Sequence, residues 1–287
     1  MIGPRLRRAA RYGLLRLPPG VRARVEIRLL RVYEAYLGLR GRGREPAVDP
    51  AGRPVPPTAL RVLVSGTADE AFFLDTGRAQ AALFRRLLER HAGSLEDMAA
   101  ILDFGCGCGR IARWWADLRG PAVFGCDPNR QLVHWCRAHL PFLNAATSEE
   151  EPPLPYPDAS FDFAYALSIF THLPEQRARP WMAELRRVIR PGGYLLLTTA
   201  GEAYRERLSP PEAARYANGE EVVQFDTAAG TNLCIVYHSP AYVRNRMLDG
   251  FELVETFISP EHPDEAREAG LAQDAYLLRV PAVPTGR

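Results

Sequence analysis

Ile101-Leu102-Asp103-Phe104-Gly105-Cys106-Gly107-Cys108-Gly109-Arg110 is the stretch that decides how this chain is read. Residues 100–104 have the length and near-continuous hydrophobicity of a strand buried on both faces, and the run meets glycine at three alternate positions. Glycine there lets the backbone take positive φ and approach a ligand to contact distance, and a helix expected over 109–117 would add unpaired N–H groups. Working outward, further buried-strand runs occupy 122–126, 161–167 and 194–198, with helical patterns between them at 130–139 and 175–189. Residues 251–258 and 275–280 supply two more strands. This alternation predicts an α/β fold on a largely parallel sheet with right-handed crossovers. Ahead of it lie a helix over 79–90 and a short alternating stretch at 61–64.

The spacing of the glycines narrows the ligand. A nicotinamide dinucleotide loop runs G-x-G-x-x-G, whereas Gly105, Gly107 and Gly109 run G-x-G-x-G, with Asp103 two residues ahead. Asp127 closes the second apolar run 22 residues after Gly105. A carboxylate there can accept hydrogen bonds from both ribose hydroxyls of an adenosine, or cap the helix that follows.

This loop resembles motif I of the class I S-adenosylmethionine (SAM)-dependent methyltransferases. Pro153-Leu154-Pro155-Tyr156 with Phe161-Asp162 is similar to that family's approach to its fourth strand. Leu185-Arg186-Arg187-Val188-Ile189-Arg190-Pro191-Gly192-Gly193 is similar to its turn into the fifth, so the resemblance runs from about Asp103 to Tyr194. It implies a Rossmann-like, mostly parallel seven-stranded sheet with helices on both faces. The cofactor it implies is SAM, met by Asp103, Gly105, Cys106, Gly107, Gly109, Asp127 and Ser168. Many members carry an acid near the adenine after the third strand; here 142–148 offers Asn144 instead. Arg78, in Leu74-Asp75-Thr76-Gly77-Arg78, is a candidate partner for the cofactor carboxylate.

Methyl transfer from a sulfonium is an in-line displacement that needs positioning and the exclusion of water, with a base only where the acceptor has a proton to lose. His172, directly after the fourth strand in Ser168-Ile169-Phe170-Thr171-His172-Leu173, is either that base or a loop-fixing imidazole. His238 is the second candidate. Tyr204, Tyr216, Tyr237 and Tyr242 fall within or beside 201–245, read as a substrate lid with an aromatic lining or as a packed surface subdomain. The expected acceptor is a small molecule or glycan, with oxygen preferred to nitrogen. The Asn/Asp-Pro-Pro-aromatic motif of certain base and glutamine N-methyltransferases is absent after the fourth strand, where the chain reads Ala166-Leu167-Ser168-Ile169.

Composition sets outer bounds. At 287 residues with 47% hydrophobic and 24% charged residues, the chain suits one large α/β domain plus an appendage. All 36 basic residues are Arg, and 12 of them fall in residues 1–45 against three Glu, a local charge of +9 in a chain of net +2. Apolar spacing from Leu6 to Leu39 predicts two basic amphipathic helices, followed by an irregular connector over 41–57, so the domains are drawn at 1–57 and 58–287. The basic segment suits a lid, a protein partner or weak contact with an anionic membrane surface, or is simply a solvated cap. With the rest of the chain at −7, nucleic acid is a poor partner, and a non-catalytic interaction protein on the same fold is the other alternative. Cysteines 106, 108, 126, 136 and 234 show no zinc-ligand spacing and read as free thiols, and no segment resembles a secretory signal or membrane span, so a cytoplasmic location is expected.

Overall fold

The computed structural model describes residues 47–282. The two basic helices expected before residue 40 lie outside the described residues. Helices α1 (Thr58–Ser65) and α2 (Glu70–Ala92) precede β1 (Ala100–Phe104), β2 (Ala122–Asp127), α3 (Arg130–His139), β3 (Leu143–Thr147) and β4 (Phe161–Ala166). Then come α4 (Glu175–Val188), β5 (Ile189–Thr199), α5 (Pro210–Ala217), β6 (Val222–Gln224), β7 (Ile235–Tyr237), α6 (Pro240–Tyr242), β8 (Glu252–Phe257), α7 (Pro263–Ala269) and β9 (Asp274–Arg279).

Seven strands form one sheet in the order β3-β2-β1-β4-β5-β9-β8, with β6 and β7 as a separate antiparallel pair. The first five are parallel, and β9 inserts antiparallel between β5 and β8. This is the expected α/β architecture. The chain leaves β1 toward β2 and β3, then returns to lay β4 on the other side of β1. Adjacent crossovers therefore diverge at the carboxyl ends of β1 and β4, which opens a crevice there.

Strand periodicity explains the two cores. Ile101 points to a face packed by Phe73 and Phe84 of α2 and Trp135 of α3, while Leu102 points to the face packed by Trp181 and Leu185 of α4. Phe163 and Leu195, each fully buried, repeat the alternation on β4 and β5. Asp162 fixes the opposite, amino end of the sheet. Its Oδ2 accepts from the backbone N–H of Ala99 and of Ala100, both at 2.8 Å, and Arg190 donates to its Oδ1.

Two expectations are corrected and one is extended. The 109–117 helix is a run of turns ending in a 3₁₀ helix, Ala112–Trp115. Residues 61–64 belong to α1, whose buried Val62 and Arg61 show helical rather than alternating burial, and the 79–90 helix extends over the whole of α2. The described part of the connector, from residue 47, is irregular but anchored. Val48 bridges Pro54, and buried Asp49 pairs with fully buried Arg113 at 3.6 Å, while Arg113 also donates to Pro54 O at 2.9 Å. A buried guanidinium needs such partners, and Ala47 and Val55 pack against the same core.

Candidate functional site

At the carboxyl end of β1 the chain turns through Gly105 (φ 79°) and Gly107 (φ 54°). A Cβ on Gly105 would lie 2.1 Å from Ile169 Cδ1, and one on Gly107 would lie 2.7 Å from Val64 Cγ2. The loop is thus flanked by the segment after β4 on one side and by α1 on the other. Gly105 and Cys106 both donate to Cys126 O at 2.8 and 2.9 Å, which ties the loop to β2. A Cβ on Gly109 would strike Leu140 Cδ1, so this third glycine serves the packing of the loop on the body beneath it.

Asp127 stands at the end of β2. Its Oδ2 accepts from Gly107 N at 3.0 Å and its Oδ1 from Asn129 N at 2.8 Å, leaving each oxygen further accepting capacity. Burial raises its pKa against these two donors. The helix-capping role that the sequence offered to Asp127 falls instead to Asn129, which accepts from Gln131 N and Leu132 N at the start of α3. Asp103 is buried at 3% exposure, and its carboxyl is pushed up to about 7, chiefly by burial, with Asp127 adding repulsion and Tyr165 and Arg110 opposing. Tyr165 in turn accepts from Trp115 Nε1 at 2.9 Å.

Not every expected cofactor residue joins this cluster. Asn144 pairs with Phe124, three residues short of the Asp127–Thr147 level, and its amide donates to Val123 O at 3.1 Å. Ser148 is the residue beside the acid, donating its N–H to Asp127 O at 3.2 Å. Arg78 is exposed on α2; the side of that helix facing the loop is marked by Gly77, whose Cβ would lie 2.5 Å from Arg110 O. Arg110 is the guanidinium brought to Asp103. It donates to Thr76 Oγ1 at 3.0 Å, and burial lowers its pKa to about 10. The sequence held Arg110 in plain sight at the end of the glycine run, yet nothing in the pattern told its inward direction from that of Arg78.

Beyond β4, Ser168 takes a left-handed backbone (φ 60°) and donates its N–H to Thr198 Oγ1 at 2.8 Å. A 3₁₀ turn, Phe170–His172, follows. His172 Nδ1 lies 2.6 Å from Cys234 O. A carbonyl can only accept, so Nδ1 carries the hydrogen and Nε2 of the neutral ring keeps a lone pair. Burial lowers the His172 pKa, opposed by that carbonyl. His238 is different. It is fully buried and stacked on Tyr242 at 4.8 Å, and its Nε2 is 3.8 Å from Glu221, an ion-pair separation too long for a hydrogen bond. Neither of its ring nitrogens has a hydrogen-bond partner, so this imidazole is sealed in the interior and presents no nitrogen to an acceptor.

Residues 201–245 form a small unit with its own core of Tyr216, Val222 and Tyr237. It joins the main sheet through a bridge between Ala200 and Tyr237, and Asn232 reaches α1 by donating to Leu63 O at 2.6 Å. Of the four tyrosines, Tyr216, Tyr237 and Tyr242 are buried to 2% exposure or less; Tyr204 is the one left partly open. The aromatic lining expected from sequence is largely core. The five cysteines are free and buried, and burial leads in raising the Cys108 and Cys126 thiols well above their ordinary value. Such thiols are poor nucleophiles.

Comparison with known proteins bears on this geometry directly. Residues 102–197, the glycine loop through β5, match the methyltransferase-domain family. Over 223 residues the chain is 26% identical to a probable S-adenosylmethionine-dependent methyltransferase of Mycolicibacterium smegmatis, covering 75% of this chain and 82% of that one. The chain thus carries a methyltransferase domain and is similar to SAM-dependent methyltransferases over most of its length. The methyltransferase is also 28% identical over 218 residues to a malonyl-acyl-carrier-protein O-methyltransferase of Serratia marcescens, covering 71% and 81% of the two chains. Among solved structures the CcbJ methyltransferase of Streptomyces caelestis superposes with a TM-score of 0.51 at 19% identity, over 72% of this chain and 90% of that one, a likeness of fold. Its cofactor is SAM, and the donor set suits that molecule. A carboxyl that burial leaves under-stabilised at Asp103 matches an ammonium, and acceptor-only oxygens at Asp127 match a pair of hydroxyls. Among the described residues no helix is long and apolar enough to cross a membrane.

Proposed function

We propose that this methyltransferase places the methyl group on an oxygen of a small-molecule acceptor. SAM, when bound, supplies the activated methyl as a sulfonium with a thioether leaving group. Asp127 receives the ribose hydroxyls, Asp103 with the Gly105–Gly109 loop receives the methionine end, and Cys106 contributes its main chain. Ser148 replaces Asn144 beside the adenosine, and Arg110 replaces Arg78 as the guanidinium nearest the loop.

His172 is the proposed general base. The observation that carries this reading is the 2.6 Å contact of Nδ1 with Cys234 O, which leaves the lone pair on Nε2 of a ring held in the turn just beyond β4. An acceptor hydroxyl has a proton to lose, so a neutral imidazole held in one tautomer suits oxygen better than a site needing no base. The O-methylating relative from Serratia marcescens supports the same preference. The unit 201–245 covers the acceptor, with Tyr204 its most accessible ring, on a domain that runs from at least residue 47 through 282.

The test is a screen of hydroxylated and carboxylated small molecules, with formation of S-adenosylhomocysteine as the readout and His172→Asn beside the wild type. Methyl ethers formed by the wild type, at a rate cut at least a hundredfold in the variant, would support oxygen transfer with His172 as base; methyl esters formed at equal rates in both would keep the oxygen acceptor and overturn the base, since a carboxylate has no proton to lose. Products methylated on nitrogen alone, at equal rates in both proteins, would overturn it.

A further inference from the structure

Gln273 immediately precedes β9, and because β9 runs antiparallel to β5 its start lies at the carboxyl edge of the sheet. No feature of the sequence singles it out. In the structure it completes a closed hydrogen-bond circuit with three hydroxyls drawn from β5 and from the segment after β4. Thr198 Oγ1 donates to Gln273 Oε1 at 2.5 Å, and Gln273 Nε2 donates to Ser168 Oγ at 2.8 Å. Thr171 Oγ1 donates to Ser168 O at 2.9 Å and shares a 3.1 Å contact with Ser168 Oγ.

Counting protons fixes the direction of that last contact. A hydroxyl has one hydrogen. Thr171 gives its hydrogen to Ser168 O, so the contact between the two side chains uses the Ser168 hydrogen. Ser168 Oγ therefore accepts from Gln273 and donates to Thr171, and the side chain is turned inward with its donor used. What Ser168 offers the crevice is its backbone conformation, and that conformation is the costly one, left-handed in a residue with a Cβ.

That single conformation reverses the chain as it leaves β4. It sets Ile169 against Gly105 and starts the 3₁₀ turn that carries His172 to Cys234. We propose that Gln273 is a positioning residue for methyl transfer: through Ser168 Oγ and Thr198 it holds Ser168 left-handed, and so sets both the wall of the cofactor loop and the imidazole beyond it. This rests on the reading of the glycine loop as the place where SAM binds.

The test is calorimetric titration of SAM into wild type, Gln273→Ala, Gln273→Met and the double variant Gln273→Ala with Ser168→Gly, each checked for folding by circular dichroism. Gln273→Met keeps the bulk without the amide and stands in if Gln273→Ala does not fold, the rescue then being read on the Met background. The expected result is a dissociation constant raised about tenfold by loss of the amide, equivalent to ~1.4 kcal/mol. Most of that loss should return in the double variant, because glycine takes the left-handed conformation without being held there. A loss of packing alone would not be rescued by Ser168→Gly. An unchanged dissociation constant in the single variants, or a double variant as weak as the single, would overturn the proposal. If folded wild type itself fails to bind SAM, the cofactor reading falls and the proposal with it, and the wild-type titration tells that failure from the other two.

Discussion

If Asp103 receives the ammonium of SAM, as proposed, SAM affinity should depend on pH in a way the environment of that carboxyl dictates. Burial, the leading cause, and the nearby Asp127 push its carboxyl up to about 7 despite Tyr165 and Arg110. The folded-state pKa is raised above the ordinary carboxylate value of about 3.9. Its contribution to stability is therefore full below that value and lost as pH rises through about 7. Ligand binding has the opposite sign, since an ammonium favours the ionised form. At pH 6 roughly a tenth of Asp103 is ionised, and most of it is ionised by pH 8, so affinity climbs across this window. The ligand's own α-amino group loses its proton near pH 7.7–8.0, which imposes a descending limb. The product of the two fractions peaks near pH 7.5 and falls about fivefold by pH 6. Calorimetric titration at pH 6, 7.5 and 9 measures this, and at pH 6 binding should release close to one proton. Asp103→Asn should remove the ascending limb and weaken binding at pH 7.5 by about tenfold or more, the worth of a charge-assisted hydrogen bond. A wild-type affinity that is flat between pH 6 and 7.5, or an ascending limb that survives in Asp103→Asn, would refute the reasoning.

Three further outcomes follow from the same geometry. With an acceptor in hand, kcat/KM should show an ascending limb below pH 6.5, because burial lowers the His172 pKa, and His172→Asn should abolish that limb with a 10²-fold or greater loss of rate. A purely loop-fixing histidine would instead lower the thermal midpoint and leave the limb in place. Burial opposes the charge on Asp162, yet the N–H groups of Ala100 and Ala99 and the Arg190 guanidinium outweigh it and depress its pKa. Its stabilising contribution is therefore present above about pH 4 and lost as pH falls through the depressed value. Asp162→Ala should cost about 1–3 kcal/mol in urea unfolding at pH 7, and the cost should shrink as pH falls below about 4. Gly105→Ala meets both a positive φ of 79° and Ile169 Cδ1 at 2.1 Å, and should weaken SAM binding at least tenfold in titration; binding equal to wild type would show that the loop is not the cradle.

Much of this protein was legible in its residues because the information was local. Residues 100–104, 122–126 and 161–167 became β1, β2 and β4 within a residue, since a strand buried on both faces leaves an unbroken apolar run. Gly105, Gly107 and Asp127 stand out in the sequence by their spacing, and the structure gathers them at the carboxyl ends of β1 and β2, where Asp127 accepts from Gly107 N. The 109–117 helix failed for a local reason too: the turns that follow Gly109 carry the chain only as far as a single 3₁₀ turn at Ala112–Trp115.

What sequence could not supply was direction. Arg78 and Arg110 are equally charged, and only the packing of α2 on the loop turned one outward and buried the other. His172 and His238, the first and second candidates for the base, were told apart only when one met a carbonyl and the other was packed against Tyr242. Gln273 lies 105 residues from Ser168 in the chain and meets it only because β9 inserts beside β5. The sequence by itself determined the strand order's raw material, the glycine loop and the acid that ends β2, all set by spacing within a few residues. Tertiary structure alone decided which polar side chains share the crevice, because that depends on sheet topology and on which face of each helix the core claims.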